Sequence, residues 1–194
     1  GPGRAPSRGR LPRNPPPPAP YRPYTGDGVR WRYLGHACIL VEARGVSILL
    51  DPVLSYTYES DISRYTYENL PDRIDYVLIT HNHQDHILFE TMLQLRHRIG
   101  TVVVPRSGGG SLQDPSLKLL LRQIGFRDVV EMEELGEIHF DRGSITGLIG
   151  KQKRTSLPSS FRIRAIAAGA FMMHPFRGTR CSCKGSSTTP PPST

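Results

Sequence analysis

The chain has 194 residues, 37 % of them apolar, and a formal net charge of +8. That length suits one domain with a sizeable core, with or without tails; no apolar run reaches the roughly 18 residues of a membrane span, and residues 1–30 hold no apolar h-region, so neither a transmembrane helix nor a secretory signal is expected. The positive charge belongs to the ends, since residues 1–30 carry +5, 31–141 carry −6 and 142–194 carry +9, and neither end has the aromatic interleaving of a nucleic-acid module, so no specific nucleic acid or membrane partner is expected.

Residues 1–28 are Pro- and Arg-rich and are expected to form a disordered, polyproline-like arm. From Val29 the texture changes. "VRWRYLG" alternates, and "ACILVE" and "VSILL" are apolar runs flanking Arg44-Gly45, which predicts a hairpin closed by Asp51-Pro52. Residues 55–73 are polar and Tyr-rich and predict a loop with a short helical turn. A buried strand is predicted over 74–80, and a helix over 87–98 from the spacing of Ile87, Leu88, Met92 and Leu95.

Residues 101–105 read as a further strand. "SGGG" is a flexible turn without the spacing or Lys of a phosphate-binding loop. Asp114-Pro115 is expected to cap and open a helix that runs to Ile124 and stops at Gly125. Strands are predicted in 128–132, 136–141 and 144–149. Strands first, then alternating strands and helices, predict a layered α/β or α+β domain over 29–150. Residues 151–194 have no acid, no clear period and a Ser/Thr/Pro-rich end. Cys38 is expected as a buried thiol, and Cys181 and Cys183 are too close for an ordinary disulfide. With no disulfide framework, a reducing, cytoplasmic compartment is expected.

Between the strand at 74–80 and the helix at 87–98 lies "THNHQDH", with three of the chain's seven histidines. His81 and His83 share a side by the period of two, and Asp85 and His86 approach the same point from the expected helix N-terminus. Imidazole is the commonest protein ligand for zinc and suits iron, and a carboxylate adds a hard oxygen and lowers the charge of the site. Three histidines and an aspartate at this spacing read as a metal site.

The run His81-Asn82-His83-Gln84-Asp85-His86 resembles the His-x-His-x-Asp-His signature of the metallo-β-lactamase superfamily. "WRYLGHACILVEARGVSILLDPVL" also resembles the opening strands of that fold, with "LGHA" and "LLDP" as landmarks. The resemblance covers about 29–148. It implies an αββα sandwich, with only the first half recognisable here, and a dinuclear metal site at one sheet edge. By that pattern His81 and His83 serve a first metal, and Asp85 and His86 serve a second. Asp85 also orients the nucleophile, and Asp51 lies just outside the site. His36 of "LGHA" is near the site in some branches; a strand histidine with a local hydrogen bond is an equal reading. The implied activity is zinc-dependent hydrolysis of a small molecule by metal-activated water. His83, where the flavodiiron branch has Glu, argues against that branch.

A second branch is also similar. "TGDGVRWRYLGHACILVE" and "YTYESDISRYTYENLP" resemble dinuclear-iron β-hydroxylases that use O2 to hydroxylate amino acids tethered to a carrier. The superfamily also draws a third His (Glu in the iron branch), a bridging Asp and a last His from its second half. After Asp141 this chain has no acid, and Lys153 stands near the place of that Glu. His97 is expected on a helix surface, His139 in a sheet, and His174 is a poor candidate ligand. Residues 151–194 are therefore expected to be a divergent or non-native tail. The chain is expected to hold one metal or fewer, against the two of the family. A truncated, inactive metal-binding domain is the third reading beside hydrolase and oxygenase. The oligomeric state is left open.

Overall fold

The structure is a computed structural model, and it describes residues 20–54, 64–107, 115–141, 143–149, 158–165 and 169–173. Among these residues ten strands form two sheets. The first has the order β1-β2-β3-β4-β5-β6, built from Val29–Gly35, Cys38–Ala43, Val46–Leu50, Ile74–Leu78, Ile99–Pro105 and Val129–Met132. β1, β2 and β3 are antiparallel, whereas β3, β4, β5 and β6 run parallel. The second sheet is antiparallel with the order β10-β9-β8-β7, from Gly169–Met173, Pro158–Ala165, Gly143–Ile149 and Glu137–Phe140.

The hairpin predicted around Arg44-Gly45 is present. Both turn residues have positive φ, 49° and 81°, as a two-residue turn matched to the strand twist requires. In β5, Val102 and Val104 pack with Leu40, Leu49 and Val77 against Met92 and Leu95 of α1 (Phe89–Leu95) and Leu117 and Leu121 of α2 (Leu117–Gln123). Val103 instead joins Val41, Ile48, Leu50 and Leu78 against Ile145, Phe161 and Ile163 of the second sheet. The period of two thus divides each strand between a helix layer and a second sheet. Three layers of the expected αββα sandwich are present among the described residues. Cys38 is wholly buried, and burial pushes its thiol up to about 12.

Several expectations are corrected. The helix expected over 87–98 spans only Phe89–Leu95, because His86 N–H and Ile87 N–H both donate to the His83 carbonyl and close a separate turn first. Ser116, whose side chain accepts from Leu119 N–H, caps α2; Asp114 and the "SGGG" turn fall largely outside the described residues. Past the expected domain end near 150, β9 and β10 extend the second sheet to Met173. Phe161 and Ile163, two apart on β9, both join the core between the sheets, and Phe161 is fully buried. The arm expected to be disordered over 1–28 is described from residue 20. There the Tyr21 hydroxyl donates to Glu42 Oε1 at 2.8 Å, and Arg30, over the rings of Tyr21 and Tyr24, pairs with Glu42 Oε2 at 2.7 Å. A buried Glu42 that needs partners holds this segment on β1 and β2. Residues 1–19 and the stretch from His174 to Thr194, with Cys181 and Cys183, lie outside the described residues, as does Lys153.

Candidate metal centre

The C-terminal ends of the parallel strands β3 and β4 meet at one edge of the first sheet. Asp51 follows β3 and donates its backbone N–H to the Leu78 carbonyl at 2.9 Å, which sets the two strand ends side by side. Thr80 follows β4, and its N–H and hydroxyl donate to Asp51 Oδ1 and Oδ2 at 2.8 and 2.7 Å. Next comes the turn through Gln84, Asp85 and His86, which folds back toward His83. Asp85 and His86, expected at the helix N-terminus, therefore sit in this turn, ahead of α1.

The turn stacks imidazoles. The His81 ring centroid lies 4.5 Å from that of His83 and 3.9 Å from that of His86. Donor atoms of His81, His83 and Asp85 lie within 4.8 Å of one another, and so do those of His36, Asp85 and His86. Ligands about 2.1 Å from one ion stand no more than about 4.2 Å apart, so both groups are close to the spacing a metal needs. Nitrogen and carboxylate donors together suit zinc or iron. Asp85 belongs to both groups, where the sequence reading gave it to one.

The surroundings set which ring nitrogen is free. The single Thr80 hydroxyl proton goes to Asp51, so its 2.9 Å contact with His81 Nδ1 is accepted from an Nδ1–H. His81 Nε2 then carries the lone pair. His86 Nδ1 donates to Asp51 Oδ2 at 2.8 Å, leaving Nε2 turned toward Asp85 Oδ2 at 3.6 Å. Outer partners of this kind fix the tautomer and orientation of ligating histidines. Thr80 escaped the sequence reading; its one signal was a hydroxyl directly before His81 in an otherwise apolar strand end.

Charge follows the same geometry. Burial, then the neighbouring His86 and His83, holds His81 below its ordinary value. Burial pulls His86 the same way, but its hydrogen bond to Asp51 and the charges of Asp51 and Asp85 outweigh this and raise it. For Asp85 desolvation acts upward; its own backbone N–H, His86 and His36 outweigh it and hold the carboxyl below the usual range. His36 Nε2 lies 3.1 Å from Asp85 Oδ2, so the "LGHA" histidine does reach the cluster. His97 and His139 are exposed and lie outside it, His139 facing Glu137 Oε2 at 3.3 Å. A cleft of about 600 Å³, lined by Arg96, His97, Arg122 and Arg127 among others, lies at the N-terminal end of β5, away from the cluster. Among the described residues no helix is long and apolar enough to cross a membrane.

Residues 30–163 match the family described as the β-lactamase superfamily domain. The chain is 50 % identical over 118 residues to the 4-amino-L-phenylalanyl-[CmlP-peptidyl-carrier-protein] 3-hydroxylase of Streptomyces venezuelae, a match that covers 60 % of this chain and 22 % of that protein. It is 30 % identical over 111 residues to a UPF0173 metal-dependent hydrolase of Staphylococcus haemolyticus, covering 57 % of this chain and 42 % of that one. The chain therefore spans less than half the length of these relatives. Its fold is similar to the crystal structure of CmlA, a diiron β-hydroxylase from Streptomyces venezuelae, with a TM-score of 0.69 and 39 % identity over 78 % of this chain and 30 % of that chain. At 22 % identity the metallo hydrolase Igni18 from Ignicoccus hospitalis shares the fold, with a TM-score of 0.52 over 73 % of this chain and 57 % of that one.

Proposed function

The chain belongs to the β-lactamase superfamily, and on that premise we propose that it carries the metal-binding part of a dinuclear-iron hydroxylase acting on an amino acid tethered to a carrier protein. The observation that carries this reading is the 50 % identity to a hydroxylase of a carrier-bound aminophenylalanine. His81 and His83 would hold one iron, with Asp85 and His86 at the second. Bound iron would supply the redox chemistry for activating O2.

The chain's own residues do the rest. Thr80 keeps the lone pair of His81 on Nε2, and Asp51 does the same for His86. Asp51 and His86 are both about 2 % exposed, so water is kept from this support. The Asp85 side chain is 58 % exposed, so the cluster is open to solvent on this side.

A second reading is a zinc-dependent hydrolase of a small ester, lactone or phosphodiester, supported by the 30 % identity to a metal-dependent hydrolase over more than half of this chain. Zinc would polarise the scissile carbonyl or phosphoryl oxygen. A metal-binding domain without turnover is the third. One experiment separates them. The purified chain is stripped and loaded with iron(II) or zinc(II), its metal content measured, and each form given an aminoacyl carrier protein under O2 with an external two-electron reductant, and a panel of esters and lactones. Iron-dependent O2 uptake with a gain of 16 mass units on the carrier-bound amino acid, a single oxygen atom, supports the hydroxylase. Zinc-dependent ester or lactone cleavage supports the hydrolase, and retained metal without turnover supports the third reading.

A further inference from the structure

We propose that His36 is itself a metal ligand, the third protein donor of the position formed with Asp85 and His86; this rests on the reading that His81, His83, Asp85 and His86 bind metal. The motif alone offers that position two side chains, Asp85 and His86. Reactive metal positions ordinarily hold three protein ligands and keep a place open for substrate or water. Donor atoms of His36, Asp85 and His86 lie within 4.8 Å of one another, the same span as those of His81, His83 and Asp85. His36 supplies the missing donor from a different part of the chain.

The backbone is shaped to bring it there. His36-Ala37 is the two-residue turn between β1 and β2, and the register of that hairpin shifts between Tyr33 and Gly35. Gly35 has φ +124° and His36 φ +45°, a region where a residue with a Cβ is uncommon. A bulge and a strained residue at a sheet end re-aim one side chain, and both recur at functional sites. Here the side chain so aimed is an imidazole whose Nε2 lies 3.1 Å from Asp85 Oδ2, with its ring centroid 5.3 Å from that of His86. With His36 counted, the described residues offer two three-donor groups joined at Asp85, and both metals can be held without a ligand from beyond Met173.

The test uses cobalt(II) as probe, titrated into the metal-free 194-residue chain and followed by its visible ligand-field absorption and by bound metal per chain. The wild type is expected to take two equivalents. His36→Gln keeps a side-chain N–H for Asp85 and removes the imidazole. It should weaken the second equivalent by more than about 100-fold, beyond the 10–100-fold that losing an outer hydrogen bond costs, and leave the first intact. His81→Ala should remove the first equivalent. If His36→Gln weakens the second by less than this, or leaves its spectrum unchanged, His36 only orients Asp85 and the proposal falls while the metal reading stands. If the wild type takes one equivalent that His36→Gln does not alter, the proposal falls in the same way. A wild type that binds no cobalt overturns both. Circular dichroism of each metal-free variant checks that it is folded.

Discussion

Asp51 and His86 stand 35 residues apart in the chain and meet at 2.8 Å, carboxylate Oδ2 to ring Nδ1, with both side chains almost wholly buried. The same carboxylate takes the Thr80 N–H and hydroxyl. One buried acid thus ties together β3, β4 and the histidine turn. Asp51→Ala would leave the buried Thr80 backbone N–H without its partner and the buried His86 N–H with only the Thr80 hydroxyl at 3.3 Å. It is expected to destabilise the metal-free chain by about 3–5 kcal/mol and to weaken metal binding about 10–100-fold. Denaturant melts and chelator competition measure the two effects, and unchanged affinity in a folded variant would remove Asp51 from the site's support.

Replacing His81 and His83 by Ala is expected to abolish retention of the first metal, because the outer support given to His81 then holds no ligand. In the wild type, metal at 100 times its Kd adds about 2.7 kcal/mol of stability by mass action. A thermal melt should show that gain, lose it with chelator, and show a smaller gain in the double variant. Equal metal content in variant and wild type would refute the assignment.

The second sheet gives a test of residues 158–173. Phe161 is wholly buried among Ile145, Ile163 and the inner face of the first sheet. Phe161→Ala is expected to cost about 3–5 kcal/mol. A change within about 0.5 kcal/mol, the range of ordinary surface substitutions, would mean that these strands do not belong to the core.

Tyr21 predicts a pH dependence. Burial, then the hydrogen bond to Glu42 and its charge, raises the phenol from 10.0 to about 12. A raised acid favours the neutral form in the fold, so its contribution is complete below pH 10 and is lost as the pH rises from there toward 12. Tyr21→Phe should therefore lower the melting temperature at pH 8, and its deficit relative to wild type should shrink above pH 10. A deficit that stays constant across that window would show that the Tyr21–Glu42 bond contributes nothing.

The two ends of the site differ in how far the chain itself disclosed them. His81, His83, Asp85 and His86 lie within six residues, and one strand end and one turn bring them together, so their spacing alone pointed to a shared task. The strands around them were equally plain, because a buried strand writes its environment into consecutive residues, as "IDYVLIT" and "TVVVP" do. Only the tertiary structure decided the rest. That Asp51 meets His86, and that His36 meets Asp85 across 49 residues, depends on which strands pair and in what register. Pairing is a contest among distant segments that no local pattern records. The strands β9 and β10 were missed for the same reason. "PSSFRIRA" and "GAFMM" are short and follow a basic stretch without acids, and what makes them strands is the edge of β8 for the first and of β9 for the second. Sequence set the ligand chemistry of the turn; the pairing of strands within the first sheet decided what surrounds it, because hydrogen-bonded pairing and burial are satisfied only when the whole sheet is in place.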